Sequence, residues 1–465
     1  MPKQLSYHFF TMNGTSPNYL GMWRHPEDRA VQHNDVDLWL DLARTAERAC
    51  VDSIFIADLA GQQGPFAAGY DKVAERSINF PVCDPAALVA AMLTVTKDLG
   101  FVWTSSIIQY HPFTFARNIS TLDHLSKGRV GWNIVTSYLE NSYRNVGFPE
   151  LTEHDERYRW AEEYLEVVYK LWEGSWEDGA IVADAARSVF ADPSKIHRIN
   201  HVGERYSVEG PHLAEPSPQR TPVLFQAGAS DTGRAFAARN AEGIFVMAET
   251  PAAAPAVVKD IRDRLVAAGR RPDDAKIIQG ISFVVGSTEE EAQRKAAELE
   301  ECLDTEAAMV QSSGVFGIDL SDADPDLRLS TLVEEGRGSR GMIKFFVDSH
   351  PKGDRATVRD LEQYVTTRFR VVGSPETIAD EVGRWAESGI DGLNIIQWTM
   401  PGSYVDFADH IAPVLQERGL MQRQYAPGTL REKLFADRGA RLTEPHPADK
   451  YREMFAQRET AEIAG

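Results

Sequence analysis

The chain has 465 residues, of which 43% are hydrophobic and 25% are charged, and both fractions are ordinary for a globular protein with a large buried core. Its 49 Lys and Arg side chains stand against 69 Asp and Glu side chains, which gives a formal net charge of −20 at pH 7. This composition excludes nonspecific binding to nucleic acid or to an anionic membrane, because both need a positive field.

The first half of the chain alternates short β-rich runs with longer segments of helical spacing. Strands are predicted over 5–12, 53–58, 101–108 and 129–137, and helices over 37–51, 84–100, 113–128 and 154–174. Residues 175–220 carry Asp, Pro, His and Gly without sustained periodicity, so we interpret them as an insertion.

The alternation resumes after this insertion. Strands are predicted over 221–228, 243–249, 275–286 and 391–398, and helices over 231–241, 251–269, 288–303, 374–389 and 407–419. A second irregular stretch covers 304–360. Eight strands separated by helices favour a (β/α)₈ TIM barrel of the α/β class, with a doubly wound open sheet as the alternative. We expect one barrel domain over 1–435 and a C-terminal tail over 436–465.

The compartment is predicted from what the sequence lacks. No run approaches the ~20 apolar residues that a membrane span needs, and the N-terminus does not resemble a secretion signal. The three cysteines, Cys50, Cys83 and Cys302, are odd in number and widely spaced, which is typical of a reducing compartment. We therefore expect a cytoplasmic enzyme.

In a barrel of this kind the active site lies where the strands end. The predicted strand ends offer aromatic, hydroxyl and amide groups, with few charges and no basic residue except histidine. Such a set suits a flat, polarizable ligand better than a sugar acid.

Two local motifs stand out. AGASDTG (227–233) sets small residues at a strand-to-helix junction, where helix N–H groups could bind a phosphate, although an ordinary Ser230 N-cap explains it as well. HDERY (154–158) puts His154 and Tyr158 on one helix face, where they could face a pocket or simply cap and pack.

Other motifs are set aside. GRGSRG (336–341) matches GxGxxG but does not stand between a strand and a helix. The i,i+4 pair His197 and His201 lacks a convincing helix and a third ligand, so no metal site is predicted.

Longer segments resemble one family, the nitrilotriacetate, EDTA and dibenzothiophene-sulfone monooxygenases of the bacterial luciferase-like flavin monooxygenases. The resemblance covers roughly residues 5–435 and rests on GMWRHPEDR (21–29), TLDHLSKGRVGWNIVTS (121–137), HDERYRWAEEYLEVVYKLWEGSWE (154–177), VFADPSKIH (189–197), GPHLAEPSPQRTPVLFQAGAS (210–230) and MPGSYVDFADHIAPVLQERG (400–419).

The resemblance implies a luciferase-like TIM barrel that takes reduced FMN (FMNH₂) from a separate NAD(P)H:flavin reductase. With O₂ as co-substrate, such enzymes oxygenate a small molecule through a flavin peroxide or, in some members, a flavin N5-oxide. The resemblance also favours the ligand-binding interpretation of the AGASDTG and HDERY motifs. By this resemblance, and with Asn133 added from its strand-end position, the flavin contacts are Asp58, Thr104, Asn133, His154, Tyr158 and Ser230.

Aromatic walls would keep water from the flavin. The candidates for the substrate pocket are Phe10, Trp23, Phe55, Tyr110, Tyr138, Phe245 and Met247, for each of which core packing is an equal alternative. His25, His111 and His350 are candidate catalytic groups, although a single histidine is more often structural. The insertions at 175–220 and 304–360 are expected to cover the barrel mouth as lids.

The absence of basic strand-end residues favours an apolar, aromatic xenobiotic such as a sulfone or a halogenated aromatic over an aminopolycarboxylate. An F420-dependent oxidoreductase and a non-catalytic flavin-binding barrel are further alternatives. The resemblance also implies a homodimer or homotetramer.

Overall fold

Eight parallel strands close into a barrel. The computed structural model describes residues 3–15, 17–333, 340–350, 352–361, 369–452 and 454. Each barrel strand pairs in parallel with its two neighbours, and the last pairs with the first, so the predicted TIM barrel is confirmed and the open sheet is wrong. The barrel strands are β1 (Ser6–Met12), β2 (Ser53–Ala57), β3 (Gly100–Ser106), β4 (Val130–Val135), β9 (Val223–Gln226), β10 (Gly243–Val246), β11 (Lys276–Val285) and β13 (Gly392–Ile396).

Helices surround the barrel and form most of the connections between strands. Many begin at a side-chain cap; Asp35, Asp84 and Ser374, for example, each accept a hydrogen bond from a first-turn N–H. The helices are α1 (Val36–Arg48), α2 (Asp71–Glu75), α3 (Pro85–Leu93), α4 (Pro112–Ser126), α5 (Glu140–Asn145), α6 (His154–Tyr169), α7 (Asp231–Asn240), α8 (Ala254–Ala267), α9 (Glu289–Glu301), α10 (Thr305–Phe316), α11 (Leu329–Leu332), α12 (Arg340–Ser349), α13 (Pro375–Glu387), α14 (Gly402–Asp406), α15 (Ala412–Glu417) and α16 (Leu430–Leu434).

Aromatic side chains fill the barrel interior. The ring centroids of Phe10 and Phe55 lie 5.5 Å apart, those of Phe55 and Phe245 lie 4.6 Å apart, and those of Phe225 and Phe245 lie 5.8 Å apart. Rings at these separations pack favourably beyond the burial of their area. They form a rigid apolar floor below the carboxyl ends of the strands.

The first insertion, residues 175–220, lies on the flank of the barrel rather than over its mouth. It forms two short hairpins, β5 (Ile181–Asp184) with β6 (Val189–Ala191) and β7 (His201–Val202) with β8 (Ser207–Val208). Gln219 Nε2 donates to Asp123 Oδ1 of α4 at 2.7 Å, and Trp160 Nε1 of α6 donates to the Tyr206 hydroxyl at 2.6 Å. The prediction that this insertion is a lid therefore needs correction, because these bonds attach it to the outer helices.

Helices of the second insertion lie at the carboxyl end of the barrel, where Phe316 and Phe346 line one cavity with Phe10 and Met247. We call residues 304–360 the lid. Helices α10, α11 and α12 share a small hydrophobic core of their own, which includes Phe316, Leu329, Leu332 and Phe346. Because this core is separate from the main one, the lid packs as a compact unit. The segment that contains GRGSRG falls largely outside the described residues.

The C-terminal segment closes the opposite end of the barrel. Leu430 and Leu434 pack with interior barrel residues. Between them, Arg431 pairs with Glu242 through two hydrogen bonds of 2.7 and 2.9 Å. Beyond residue 435, Tyr451 joins the main core. The expected domain boundary at 435 is therefore not visible in the packing up to residue 452, whereas 453 and 455–465 lie outside the described residues.

A short strand, β12 (Arg370–Gly373), pairs with the end of β11 outside the barrel. Within the described part of the chain, no helix is both long and apolar enough to span a membrane.

Candidate active site

The carboxyl ends of the strands open into four connected cavities beneath and beside the lid. The axial cavity (about 310 Å³) lies above the aromatic floor, and the side cavity (about 330 Å³) lies next to it, toward α6 and α7. The lid cavity (about 310 Å³) lies between the barrel and the lid, and the outer cavity (about 770 Å³) lies between the start of α7, α8 and the lid. Asp58 and Gly228 line both the axial and the side cavity, and Phe10 and Met247 line both the axial and the lid cavity.

The axial cavity is largely apolar but contains buried amides. Asn133 Nδ2 donates to Thr104 Oγ1 at 3.1 Å. The Oδ1 atoms of Asn133 and Asn394 are buried, and neither has a hydrogen-bond partner among the described residues. A buried acceptor without a partner is costly, so these two atoms mark where a polar ligand belongs. Of the predicted residues, the axial cavity brings together Phe10, Phe55, Asp58, Thr104, Asn133, Phe245 and Met247.

Asp58 is the titratable group shared by the axial and side cavities. Burial raises the pKa of its carboxyl from 3.8 to about 6, although the Gln109 amide donates to it at 2.8 Å and partly offsets the effect. The nearby charge of Asp84 raises this pKa further. The Asp58 carboxyl therefore changes protonation state close to neutral pH, inside the candidate site.

The side cavity contains an anion-binding arrangement at the start of α7. Ser230 caps this helix, its Oγ accepting from the Gly233 N–H at 3.0 Å. A Cβ on Gly233 would lie only 2.6 Å from the Tyr158 hydroxyl and 3.0 Å from Ser230 Oγ, so a larger residue there would displace the Tyr158 hydroxyl. A helix N-terminus with two hydroxyls beside it is favourable for a phosphate.

His154 sits at the edge of this arrangement and is held in place. Its Nδ1 lies 2.8 Å from Asp155 Oδ1, which also accepts a 2.8 Å bond from Thr232 Oγ1. This contact links the first turn of α6 to the first turn of α7. The HDERY and AGASDTG motifs thus meet in space, and His154, Tyr158 and Ser230 all line the side cavity.

Two arginines reach the side and axial cavities from outside the strand ends, and Arg264 and Lys344 also line the outer cavity. Arg157 lines the side cavity, where its Nη1 donates to the Ser137 carbonyl at 2.5 Å. Arg234 lines the axial and outer cavities and pairs with Asp260 at 3.0 Å. Both belong to the first turns of helices, so examining strand ends alone missed them. Their positions within HDERY and just after AGASDTG were the available signal.

Tyr138 lines the side cavity and joins a chain of buried amides. Its hydroxyl accepts from Gln63 Nε2 at 3.0 Å. Gln63 and Gln311 of the lid both donate to Asn79 Oδ1, at 3.1 and 2.9 Å. This amide chain, Tyr138–Gln63–Asn79–Gln311, runs from the side cavity to the lid cavity. The sequence contained no motif that pointed to it.

Five predicted site residues line none of the four cavities. His111 caps α4, its Nδ1 accepting from the Phe113 N–H at 3.3 Å, and the Tyr110 hydroxyl donates to Asp84 at 2.6 Å. Burial also lowers the pKa of the His111 imidazole.

The remaining three lie near the loop that follows β1 or at the end of α12. His25 Nδ1 accepts from the Glu27 N–H at 3.3 Å, and Trp23 belongs to a single 3₁₀ turn. The His350 ring stacks on Phe346 at 5.6 Å. None of these five side chains lines the four cavities, and a catalytic role for the three histidines stays a prediction.

Comparison with known proteins gives one family over most of the chain. The luciferase-like monooxygenase family matches residues 17–392. A dimethyl-sulfide monooxygenase of Hyphomicrobium sulfonivorans is 41% identical over an alignment that covers 99% of this chain and 96% of that protein. A nitrilotriacetate monooxygenase component A of Aminobacter aminovorans is 33% identical over 93% of this chain and 96% of that protein.

The solved structures agree with this. A crystal structure of a riboflavin lyase with modified FMN and its substrate riboflavin superposes with a TM-score of 0.90, at 35% identity, over 97% of this chain and 100% of that one. The resemblance found in the sequence motifs is thereby confirmed.

Proposed function

The chain belongs to the luciferase-like monooxygenase family and is a flavin-dependent monooxygenase, and on that premise we propose that it is the oxygenase component of a two-component system. In this proposal it receives reduced FMN from a separate NAD(P)H:flavin reductase. It uses O₂ to oxygenate a small, largely apolar, aromatic compound.

The observation that carries the proposal is the adjacency of the anion-binding arrangement and the axial cavity. FMN consists of a flat ring system and a phosphate joined by a ribityl chain, and the two cavities share Asp58 and Gly228. Ser230, Tyr158 and the first N–H groups of α7 would hold the phosphate. Asp58, Thr104 and Asn133 would contact the ring and the ribityl chain, where the unpartnered Asn133 Oδ1 needs a donor.

Bound FMN supplies the redox chemistry with O₂, and the chain supplies the surroundings. The packed rings of Phe10, Phe55 and Phe245 limit the access of water from below. Asp58 can hold or release a proton near neutral pH beside the bound cofactor. Arg157 adds positive charge on the phosphate side, where an anionic cofactor would lie.

The need for a separate reductase is inferred from the relatives. One of them is named as component A of a monooxygenase, which indicates that a second component exists in that system.

The substrate assignment rests on the lid cavity. No charged side chain lines it in the described parts of the chain, whereas Phe316 and Phe346 do. An aminopolycarboxylate is the second candidate, because Arg157 and Arg234 reach the neighbouring cavities. Those arginines already bind a carbonyl and a carboxylate, and they lie on the phosphate side, so an apolar aromatic compound fits better.

The test is aerobic turnover with FMN, NADH and a generic flavin reductase. The substrate panel contains a sulfone, a halogenated aromatic and nitrilotriacetate, and products are identified by mass spectrometry. We expect oxygenated product from an aromatic member, and its loss when the reductase is omitted. Product formation without the reductase, or from nitrilotriacetate alone, would contradict the proposal.

Two parts of the proposal concern the cellular setting. The cysteines Cys50, Cys83 and Cys302 are unpaired, which is consistent with a reducing, cytoplasmic location. A homodimer or homotetramer remains a prediction from the family resemblance, to be measured by light scattering.

A further inference from the structure

The amide chain defined above has a fixed direction. The Pro17 carbonyl can only accept, and it accepts from Asn79 Nδ2 at 3.2 Å. Asn79 Oδ1 must therefore face away from Pro17, toward Gln63 and Gln311, which both donate to it. A flip of the Asn79 amide would bring two acceptors together, so the orientation is determined by hydrogen bonding.

This direction decides what Gln311 can offer to a ligand. Its Nε2 donates to Asn79 Oδ1 at 2.9 Å and to the Pro17 carbonyl at 3.4 Å, so both amide hydrogens are committed. A flipped Gln311 amide would set its oxygen against two acceptors. Gln311 lines the lid cavity, and the group that it has left for a ligand is its carbonyl oxygen, Oε1.

A second polar group in the same cavity, the Ser312 hydroxyl, is also limited to accepting. Ser312 lies beside Gln311, and its Oγ donates to the Ala308 carbonyl at 2.8 Å, which leaves only acceptor lone pairs. Both polar groups that α10 presents to the lid cavity are thus acceptors. A bound molecule needs a donor to satisfy them.

We propose that the lid cavity binds a neutral substrate with an aromatic body and one hydrogen-bond donor, and that the Gln311 carbonyl accepts from this donor. This inference rests on the proposed function and names the substrate class of the same site. The cavity of about 310 Å³ has room for a substituted benzene, since a cavity of roughly 150 Å³ already admits benzene. A halogenated phenol has these properties, whereas a sulfone offers only acceptors.

The test compares two probes of nearly equal shape, 4-chlorophenol and 4-chlorotoluene, in which a hydroxyl replaces a methyl. Their affinities are measured by calorimetry at pH 7 with oxidised FMN in excess, so that no turnover occurs. We expect 4-chlorophenol to bind about 2- to 10-fold more tightly, the factor expected for one hydrogen bond to a neutral acceptor.

The variant Gln311→Met should reverse this order, because the phenol hydroxyl would then be buried without an acceptor. Gln416→Met is the matched control: Gln416 also commits both amide hydrogens to carbonyls, at 3.3 and 3.0 Å, but lines none of the four cavities. Its preference should equal that of the wild type. Thermal unfolding and FMN titration confirm that both variants fold.

Three outcomes would overturn the inference: equal affinities for the two probes, a preference that survives Gln311→Met, or no binding of either probe. If FMN binds but any of these occurs, only the donor requirement fails. If FMN itself does not bind, the proposed function fails, so the two failures are distinguishable.

Discussion

The phosphate site at the start of α7 gives the sharpest mutational prediction. Ser230→Ala removes a hydroxyl that caps α7 and lines the side cavity. A hydrogen bond to a charged group is worth roughly 1.5–3 kcal/mol, so the Kd for FMN should rise about 10- to 150-fold. Riboflavin has no phosphate, and its affinity should change by less than about twofold.

The assay is fluorescence titration of both flavins against each variant. Loss of the cap also costs stability, about 1 kcal/mol, and this effect must be separated from binding. Ser374→Ala is the matched control, because Ser374 caps α13 in the same way and lines none of the four cavities. It should lose similar stability and keep both affinities. A parallel loss of riboflavin and FMN in Ser230→Ala, or no loss of either, would refute a phosphate site there.

Three further predictions test the surroundings of the site and the packing below it. Burial raises the pKa of Asp58 above its unfolded value of 3.8 to about 6. Ionisation of Asp58 therefore costs folding free energy only at higher pH: nothing below pH 3.8, and at most about 3 kcal/mol above pH 6. Asp58→Asn should raise the melting temperature at pH 7 and not at pH 3.5, and an equal effect at both pH values would contradict this. Arg431→Met leaves Glu242 buried without its partner and should lower the free energy of unfolding, measured in urea, by about 3–5 kcal/mol. The double variant with Glu242→Leu should recover part of this loss. A loss below about 1 kcal/mol in Arg431→Met would contradict the account of the buried pair. Gly233→Ala puts a Cβ 2.6 Å from the Tyr158 hydroxyl and should weaken FMN binding about 5- to 150-fold. Gly383→Ala is the control, because its added Cβ meets no atom within 4 Å and should leave FMN binding unchanged.

Much of the barrel could be predicted because its strands are short, β-rich and bounded by helices with clear caps. β1, β2 and β10 begin within one residue of their predicted starts. The helix predicted over 84–100 is an exception, since α3 ends at Leu93. Thr94, Val95 and Thr96 follow, and β-branched residues have low helix propensity.

The positions of the irregular segments could not be predicted, because they depend on tertiary contacts. Nothing local in 175–220 shows that Gln219 bonds to α4. The C-terminal segment is similar, because Arg431 pairs with Glu242, 189 positions away in sequence. Hydrogen bonds between residues far apart in sequence leave no periodic signal.

The candidate site was predicted where motifs carried it and missed elsewhere. His154, Tyr158 and Ser230, to which the family resemblance gives flavin contacts, line one cavity. The amide chain through Asn79 and Gln311 was missed, because Asn and Gln have many surface roles and no characteristic spacing.

The most direct test of the central claim is the fate of O₂. The protein is incubated with reduced FMN from a flavin reductase, isotopically labelled O₂ and 4-chlorophenol, and the product is analysed by mass spectrometry. We predict one labelled oxygen atom in the product and none when the reductase is omitted. Unlabelled product, or labelled product formed in the absence of reduced FMN, would contradict the assignment of this chain as a reduced-FMN-dependent monooxygenase.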